Sequence, residues 1–233
     1  FIVRAVDEVL KTEFGLPDGL ADTSKTKMKV KVRQYAKNRK KDFREEYVDT
    51  HRVQILDPAT GTGTFLTRVF QEVYSRFENM PALWKGYVNK DLLPRIHGFE
   101  ILMASYAMAH LKLDLVLRET GAEPDKRFNV FLTNSLEEAH PDTGTLFAQW
   151  LSQENSEANR IKQDMPIMCV IGNPPYAVSS SNKGEWIQNL IGDYKKDLNE
   201  KKLNLDDDYI KFLRYAEYYT ERNGQGVVAM ITN

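Results

Sequence analysis

Apolar positions along this chain follow two rhythms. Val3, Val6, Val9, Leu10 and Phe14 recur every three to four residues, which predicts an opening helix over about Ile2–Glu13. Lys27-Met28-Lys29-Val30-Lys31-Val32-Arg33 alternates strictly, as a strand with one apolar side does. Beyond this point short apolar runs and helical stretches take turns. The strand Val53–Leu56 leads to Phe65, Leu66, Val69, Phe70, Val73 and Phe77 at helical spacing, with the helix starting at Thr64. Ile96–Glu100 precedes a long helix from Leu102 to about Arg118, uncharged until Lys112 and expected to pack on the sheet. Asn129–Thr133 and Ile167–Gly172 read as further strands, and a late helix over about Asp207–Arg222 runs into Gly226–Thr232. Strands alternating with helices predict an α/β fold with a mostly parallel sheet and helices on both faces.

Three stretches break the alternation. Met80–Pro94 reads as a Pro- and Trp-bearing connection, and His140–Met165 holds a polar helix candidate at Gln149–Gln163. Ser179–Leu205, rich in Ser, Asn and Lys, reads as a loop. The expected division is an N-terminal helix and basic hairpin over residues 1–50, packed on a core over residues 51–233. The chain opens on Phe1 rather than Met and stops directly after what reads as a strand, and is expected to be part of a longer polypeptide.

Length and charge narrow the class without choosing a function. The 233 residues can bury a core of one large domain, and no apolar run is long enough to span a bilayer. The net charge of −1 neither favours nor excludes a nucleic acid. Basic residues gather between Lys25 and Arg44, where a hairpin lying along phosphates and a hairpin with a charged, protected edge are equally open. The single cysteine, Cys169, sits in an apolar run and reads as a small core residue. No Cys/His spacing points to a metal site.

Candidate chemistry lies in two turns, each following a strand. After Ile167–Ile171 comes Asn173-Pro174-Pro175-Tyr176. The prolines fix φ and remove N–H donors, and Pro174 drives Asn173 out of the helical region. Alone this could be an ordinary turn. As a site it is a stiff rim of acceptors beside a flat ring, suited to a planar group carrying an NH2. After Val53–Leu56 comes Asp57-Pro58-Ala59-Thr60-Gly61-Thr62-Gly63. Its glycines permit close backbone approach to a ligand, and the helix N-terminus beyond offers free N–H groups. A nicotinamide fingerprint is disfavoured: Thr64-Phe65-Leu66 supplies no third glycine, and the strand-closing acid, Glu100, lies much further on than the usual ~20 positions. Glu100 could equally be a surface charge at a strand end. His97, His110 and His140 have structural readings on a strand, a packed helix and a turn. Asp206-Asp207-Asp208 reads as a helix start satisfying its dipole.

The turn Asp57–Gly63, the strand ending His97-Gly98-Phe99-Glu100 and then Asn173–Tyr176 together resemble the amino-methylating, AdoMet-dependent DNA methyltransferases. Their order resembles the gamma group of N6-adenine enzymes. Phe1–Asp7, Leu132–Leu136, Asp208–Phe212 and Val227–Asn233 extend the likeness to the methyltransferase core of single-chain restriction–modification enzymes of type ISP or IIG. The resemblance implies a Rossmann-like methyltransferase sheet, S-adenosyl-L-methionine as cofactor, double-stranded DNA as partner and a cytoplasmic setting. It implies that the Asn173 side-chain oxygen and the Pro174 carbonyl accept the two N–H bonds of a flipped-out adenine while Tyr176 stacks on it. It places Asp57, Ala59, Thr60, Gly61 and Gly63 against the methionine part of the cofactor. Glu100, with Ile101 beside it, would receive the ribose hydroxyls. Asn134, with Ser135, stands where many relatives have an aspartate for the adenine amine. Relatives add further C-terminal strands of the sheet, absent from this chain, and a target-recognition domain, and sometimes nuclease or helicase domains. Two other readings stay open: an RNA base or a protein glutamine as acceptor, and a DNA-recruitment module without catalysis.

Overall fold

The computed structural model describes residues 1–33, 43–138, 146–177, 180–196, 198 and 204–232. The central sheet holds β3 (Ile55–Asp57), β4 (Ile96–Glu100), β5 (Asn129–Leu132), β6 (Cys169–Gly172) and β7 (Val227–Met230), in the order β5-β4-β3-β6-β7. Every neighbouring pair is parallel. The helices are α1 (Ile2–Thr12), α2 (Thr64–Tyr74), α3 (Pro81–Tyr87), α4 (Met103–Glu119), α5 (Leu146–Asp164), α6 (Glu185–Lys195) and α7 (Asp208–Asn223).

Side-chain alternation along the strands sorts the helices onto two faces. Ile55, Ile96, Val130, Cys169 and Ile171 join a core built with α1, α2 and α4, through Val6, Leu10, Leu66, Phe70, Ala109 and Leu113. Leu56, Phe99, Phe131 and Val170 point the other way, into a core with Ile161 of α5, Ile187 of α6 and Phe212, Tyr215 and Tyr219 of α7. The expected α/β layering is therefore present. Cys169 is a buried free thiol, whose pKa burial raises to about 12. Among the described residues no helix is long and apolar enough to cross a membrane.

One expectation needs correction, and two gain detail. Ser179–Leu205 is not all loop: α6 lies within it, burying Ile187 and Ile191 and packing Trp186 and Leu190 beside them. Met80–Pro94 is helical almost throughout, as α3, a π-turn and a short 3-10 turn. α4 packs on the sheet as expected, by one face: Tyr106, Ala109, Leu113 and Leu117 are buried, while Met108, Leu111 and Leu115 stand about half exposed.

The basic segment forms an antiparallel hairpin of β1 (Lys25–Arg33) and β2 (Phe43–His51), whose tip lies outside the described residues. Acids of β2 answer part of its charge: Lys29 pairs with Glu45 at 2.5 Å and Lys27 stands opposite Asp49. Buried Met28 sits on the opposite side of the ribbon from Lys27 and Lys29.

Gly98 in the middle of β4 has no room for a side chain. A Cβ there would meet Thr60 Oγ1 at 2.5 Å, Leu66 Cδ1 at 3.1 Å and Val130 Cγ2 at 3.2 Å. Gly98→Ala is expected to destabilise the fold by about 1–3 kcal/mol through overpacking. Urea unfolding checks this; a midpoint unchanged from the parent would refute the packing reading.

Candidate active site

The chain order reverses between β3 and β6. From β3 it steps outward to β4 and β5, then returns to the other side of β3 for β6 and β7. Ligands of open α/β sheets bind at such a switch point, beyond the carboxyl ends of the strands. Both candidate turns start there. β3 ends at Asp57 and β6 at Gly172, and a Cβ on Gly172 would lie 3.0 Å from Asp57 Oδ1. A larger residue at position 172 would drive the two turns apart.

The first turn is held from below. Thr60 donates its N–H to Phe99 O at 3.0 Å and its hydroxyl to Asp57 O at 3.1 Å. Gly61 and Gly63 have φ of +54° and +80°, left-handed values that glycine adopts without strain. Gly63 caps α2 and presses its α-carbon side against Ala109 of α4. Asp57 is sealed beneath: Oδ1 accepts from Ala59 N at 3.1 Å, and buried Oδ2 has no partner among the described residues. Burial raises its pKa to about 7; the Ala59 N–H opposes the rise and the Glu100 charge adds to it.

Glu100 closes the turn against β4. Its Oε2 accepts from Gly61 N at 2.7 Å, and its Oε1 from Ile101 N at 2.9 Å and Leu102 N at 2.7 Å. Three of about four acceptor positions are thus occupied by backbone, leaving one on Oε2 for a ligand. This carboxylate is no stray surface charge. Glu100→Gln would turn an NH2 against these N–H donors, and a loss of about 1–3 kcal/mol is expected. Thermal melting reads it, and a variant melting with the parent would contradict the arrangement.

Beyond β5, Asn134 Oδ1 accepts from Leu136 N at 3.0 Å, and its Nδ2 donates to Glu137 Oε1 at 3.1 Å and Asn182 Oδ1 at 2.9 Å. Ser135 donates to Pro58 O at 2.5 Å, tying this loop to the first turn. At the end of β6, Asn173 is exposed and its side chain has no hydrogen-bond partner among the described residues. Pro174 is buried. Tyr176, half exposed, donates its hydroxyl to Ile231 O at 3.2 Å, with its ring centroid 5.7 Å from that of Tyr209.

One cavity of about 610 Å³ joins these parts. Of the expected site residues, Ala59, Gly61, Glu100, Ile101, Asn134, Ser135 and Asn173 line it. Asp57, Thr60 and Gly63 lie outside the lining and shape the turn. Pro174 and Tyr176 flank Asn173 and Pro175 without lining the space. Sequence reasoning assigned no site role to Ser105, Thr133, Ser181, Asn182 and Phe212, and none to Asp208 beyond a helix start, although Thr133, Asp208 and Phe212 lie in stretches that carry the family likeness. Ser181 and Asn182 follow the second turn closely, and Asp208 and Phe212 are one helical turn apart on α7, which was the available signal. His97 is buried with Nε2 2.7 Å from Gln54 Oε1, its pKa lowered by burial to about 3. His110 has Nε2 3.1 Å from Val130 O, and neither histidine lines the cavity. His140 lies outside the described residues.

A parallel sheet with two strand-end turns sharing one cavity at the switch point is the arrangement of an α/β methyltransferase fold, among other doubly wound sheets. The chain belongs to the N-6 DNA Methylase family, whose model matches residues 28–233. Among solved structures it is similar to a nuclease-deletion mutant of the Type ISP restriction–modification enzyme LlaGI in complex with a DNA substrate mimic (24% identity, 99% of this chain and 17% of that one, TM-score 0.70). It is similar also to the ATP-dependent Type ISP restriction–modification enzyme LlaBIII bound to DNA (25% identity, 100% of this chain and 14% of that one, TM-score 0.70). A third likeness is to a DrdV–DNA complex (26% identity, 99% of this chain and 19% of that one, TM-score 0.65). The chain thus spans less than a fifth of the length of each of these neighbours. Comparison with curated proteins returns no match.

Proposed function

We propose that this chain is the catalytic core that moves the methyl group of S-adenosyl-L-methionine to the N6 amine of an adenine flipped out of duplex DNA, within a restriction–modification enzyme. The observation that carries the reading is the shared cavity: Asn173, its amide without a hydrogen-bond partner among the described residues, borders the same space as Pro58, Gly61 and Glu100. Membership of the N-6 DNA Methylase family supports the reaction, and the DNA-bound neighbours support the acceptor.

The cavity suits the cofactor. Its size falls among small-molecule sites, about 300–1,000 Å³. Glu100 keeps one acceptor position for a hydroxyl, Asn134 Oδ1 keeps one for an amine, and the Gly61 backbone stands open to close approach. When bound, the cofactor supplies an electrophilic methyl on a sulfonium. The chain's own residues do the rest. The adenine amine is a poor nucleophile because its lone pair is delocalised into the ring. Oδ1 of Asn173 and the Pro174 carbonyl accept its two N–H bonds, so the nitrogen can become tetrahedral as it attacks; once the new N–C bond has formed, one of these two protons is released to water and the ring lone pair is restored. The prolines hold these acceptors still, and fixed geometry can remove roughly 7–11 kcal/mol of barrier in favourable cases. The exposed ring of Tyr176 stacks on the base, worth about 1–3 kcal/mol. Extrusion is required because the amine is out of reach inside the duplex.

The test is methyl-labelled AdoMet offered to duplex DNA, RNA and protein by the full-length enzyme. Label recovered as N6-methyladenine in DNA is expected. Label only in RNA or in a protein glutamine would replace the acceptor, and AdoMet binding without transfer to any acceptor would favour a recruitment module.

A further inference from the structure

Two loops meet across the cavity, and each is tied down by a buried lysine. Lys162 of α5 donates to Thr133 Oγ1 at 3.2 Å, Asn134 O at 2.7 Å and Glu137 O at 3.2 Å. Its ammonium lies 5.5 Å over the Phe99 ring. Lys211 of α7 is fully buried and donates to Ser180 Oγ at 2.8 Å and Asn182 O at 2.7 Å.

The acids at the start of α7 divide the remaining work. Asp207 caps the helix and also accepts from Ala177 N at 3.0 Å. Asp208, though in the first turn, gives its carboxylate to the loop: Oδ1 accepts from Ser180 Oγ at 2.5 Å and Asn182 Nδ2 at 3.0 Å. A helix start needs no such bonds. Asn182 then spans the cavity, its Oδ1 accepting from Asn134 Nδ2 at 2.9 Å. A continuous path therefore runs from Ala177, next to Tyr176, through Asp207, Asp208 and Asn182 to Asn134.

We propose that Asn182, held by Asp208 and Lys211, is a positioning residue that couples the target-base side of the cavity to its cofactor side. The proposal rests on the function proposed above. With both Nδ2 protons of Asn134 engaged, the amide cannot rotate, so its oxygen keeps one direction toward the cavity. Ordering of the Asn173–Ala177 segment by a base is transmitted to that oxygen through Asn182. By linkage, DNA must tighten AdoMet and AdoMet must tighten DNA by one common factor.

The experiment measures the AdoMet Kd in the full-length enzyme, with and without duplex DNA carrying its target, for the parent, Asn182→Ala, Asn134→Ala and the double variant. Asn182 is only half-buried, so its truncation spares the fold, and Asp208→Asn, which keeps an acceptor in place, is the conservative control. We expect each single alanine to weaken AdoMet about three- to tenfold, the worth of one hydrogen bond. The double variant should be no worse than either single, and the tightening by DNA should shrink toward unity. Asp208→Asn should retain most of the tightening. For Asn182→Ala, KM for AdoMet should rise while kcat at saturation changes by less than about threefold, since no reacting atom is touched. Additive effects, or a DNA-induced tightening equal to the parent's, would overturn the proposal. So would a parent that binds AdoMet and methylates DNA with no mutual tightening. A parent that binds no AdoMet at all would instead remove the functional reading on which the proposal stands.

Discussion

Alanine at position 173 is expected to lower the rate of methyl transfer about 10²–10³-fold, on the order of 3–4 kcal/mol, the cost of removing one prearranged hydrogen-bonding group aimed at developing charge. Asn173 is exposed on the cavity rim and its side chain has no hydrogen-bond partner among the described residues, so truncation leaves the fold undisturbed. Cofactor affinity should stay within about threefold, because the contacts assigned to AdoMet come from β3, β4 and β5. Single-turnover methylation read beside calorimetric AdoMet binding separates the two. A rate near the parental value removes Asn173 from the chemistry. A rate lost together with AdoMet binding or thermal stability would mean that the side chain holds structure.

The second large effect concerns Asp57, a wholly buried carboxyl with one oxygen unpartnered among the described residues. Its pKa rises from an ordinary 3.8 to about 7, chiefly through burial. The folded protein therefore keeps a proton that the unfolded chain releases between about pH 4 and 7. Wherever the folded state binds more protons, stability falls as pH rises. The cost is absent below pH 4 and complete above pH 7, where it reaches at most about 4 kcal/mol at 1.36 kcal/mol per unit. Asp57→Asn keeps the acceptor for the Ala59 N–H and removes the charge. We expect the variant to lose the decline between pH 4 and 7 and to be the more stable protein at pH 8. Urea unfolding of both at pH 5 and pH 8 checks this. Parallel pH profiles would show that the Asp57 carboxyl does not titrate in this window.

Much of this was legible because it is local. A run such as Met168-Cys169-Val170-Ile171 has few alternatives to a buried strand, and Asp57–Gly63 needs left-handed backbone at Gly61 and Gly63, where the structure has it. Glu100 was found as the acid closing the next strand. What its carboxylate holds was hidden: three backbone N–H groups whose direction depends on how β3 and β4 register. The α6 helix was hidden for a different reason. Trp186, Ile187, Leu190 and Ile191 mark one face, but the polar tracts around them read as loop. The Asn134–Asn182 contact joins residues 48 apart and leaves no periodic trace. For α4 the uniform apolar pattern spoke only of burial and gave no sign which face would meet the sheet.

The most direct measurement is a structure of the full-length enzyme with duplex DNA bearing its target adenine and a non-transferable AdoMet analogue. An extruded adenine is expected, with N6 within hydrogen-bond reach of Asn173 Oδ1 and the Pro174 carbonyl, and the analogue lying between Gly61, Glu100 and Asn134. An adenine still stacked in the duplex, or a base and an analogue seated in separate places, would contradict the assignment of this cavity.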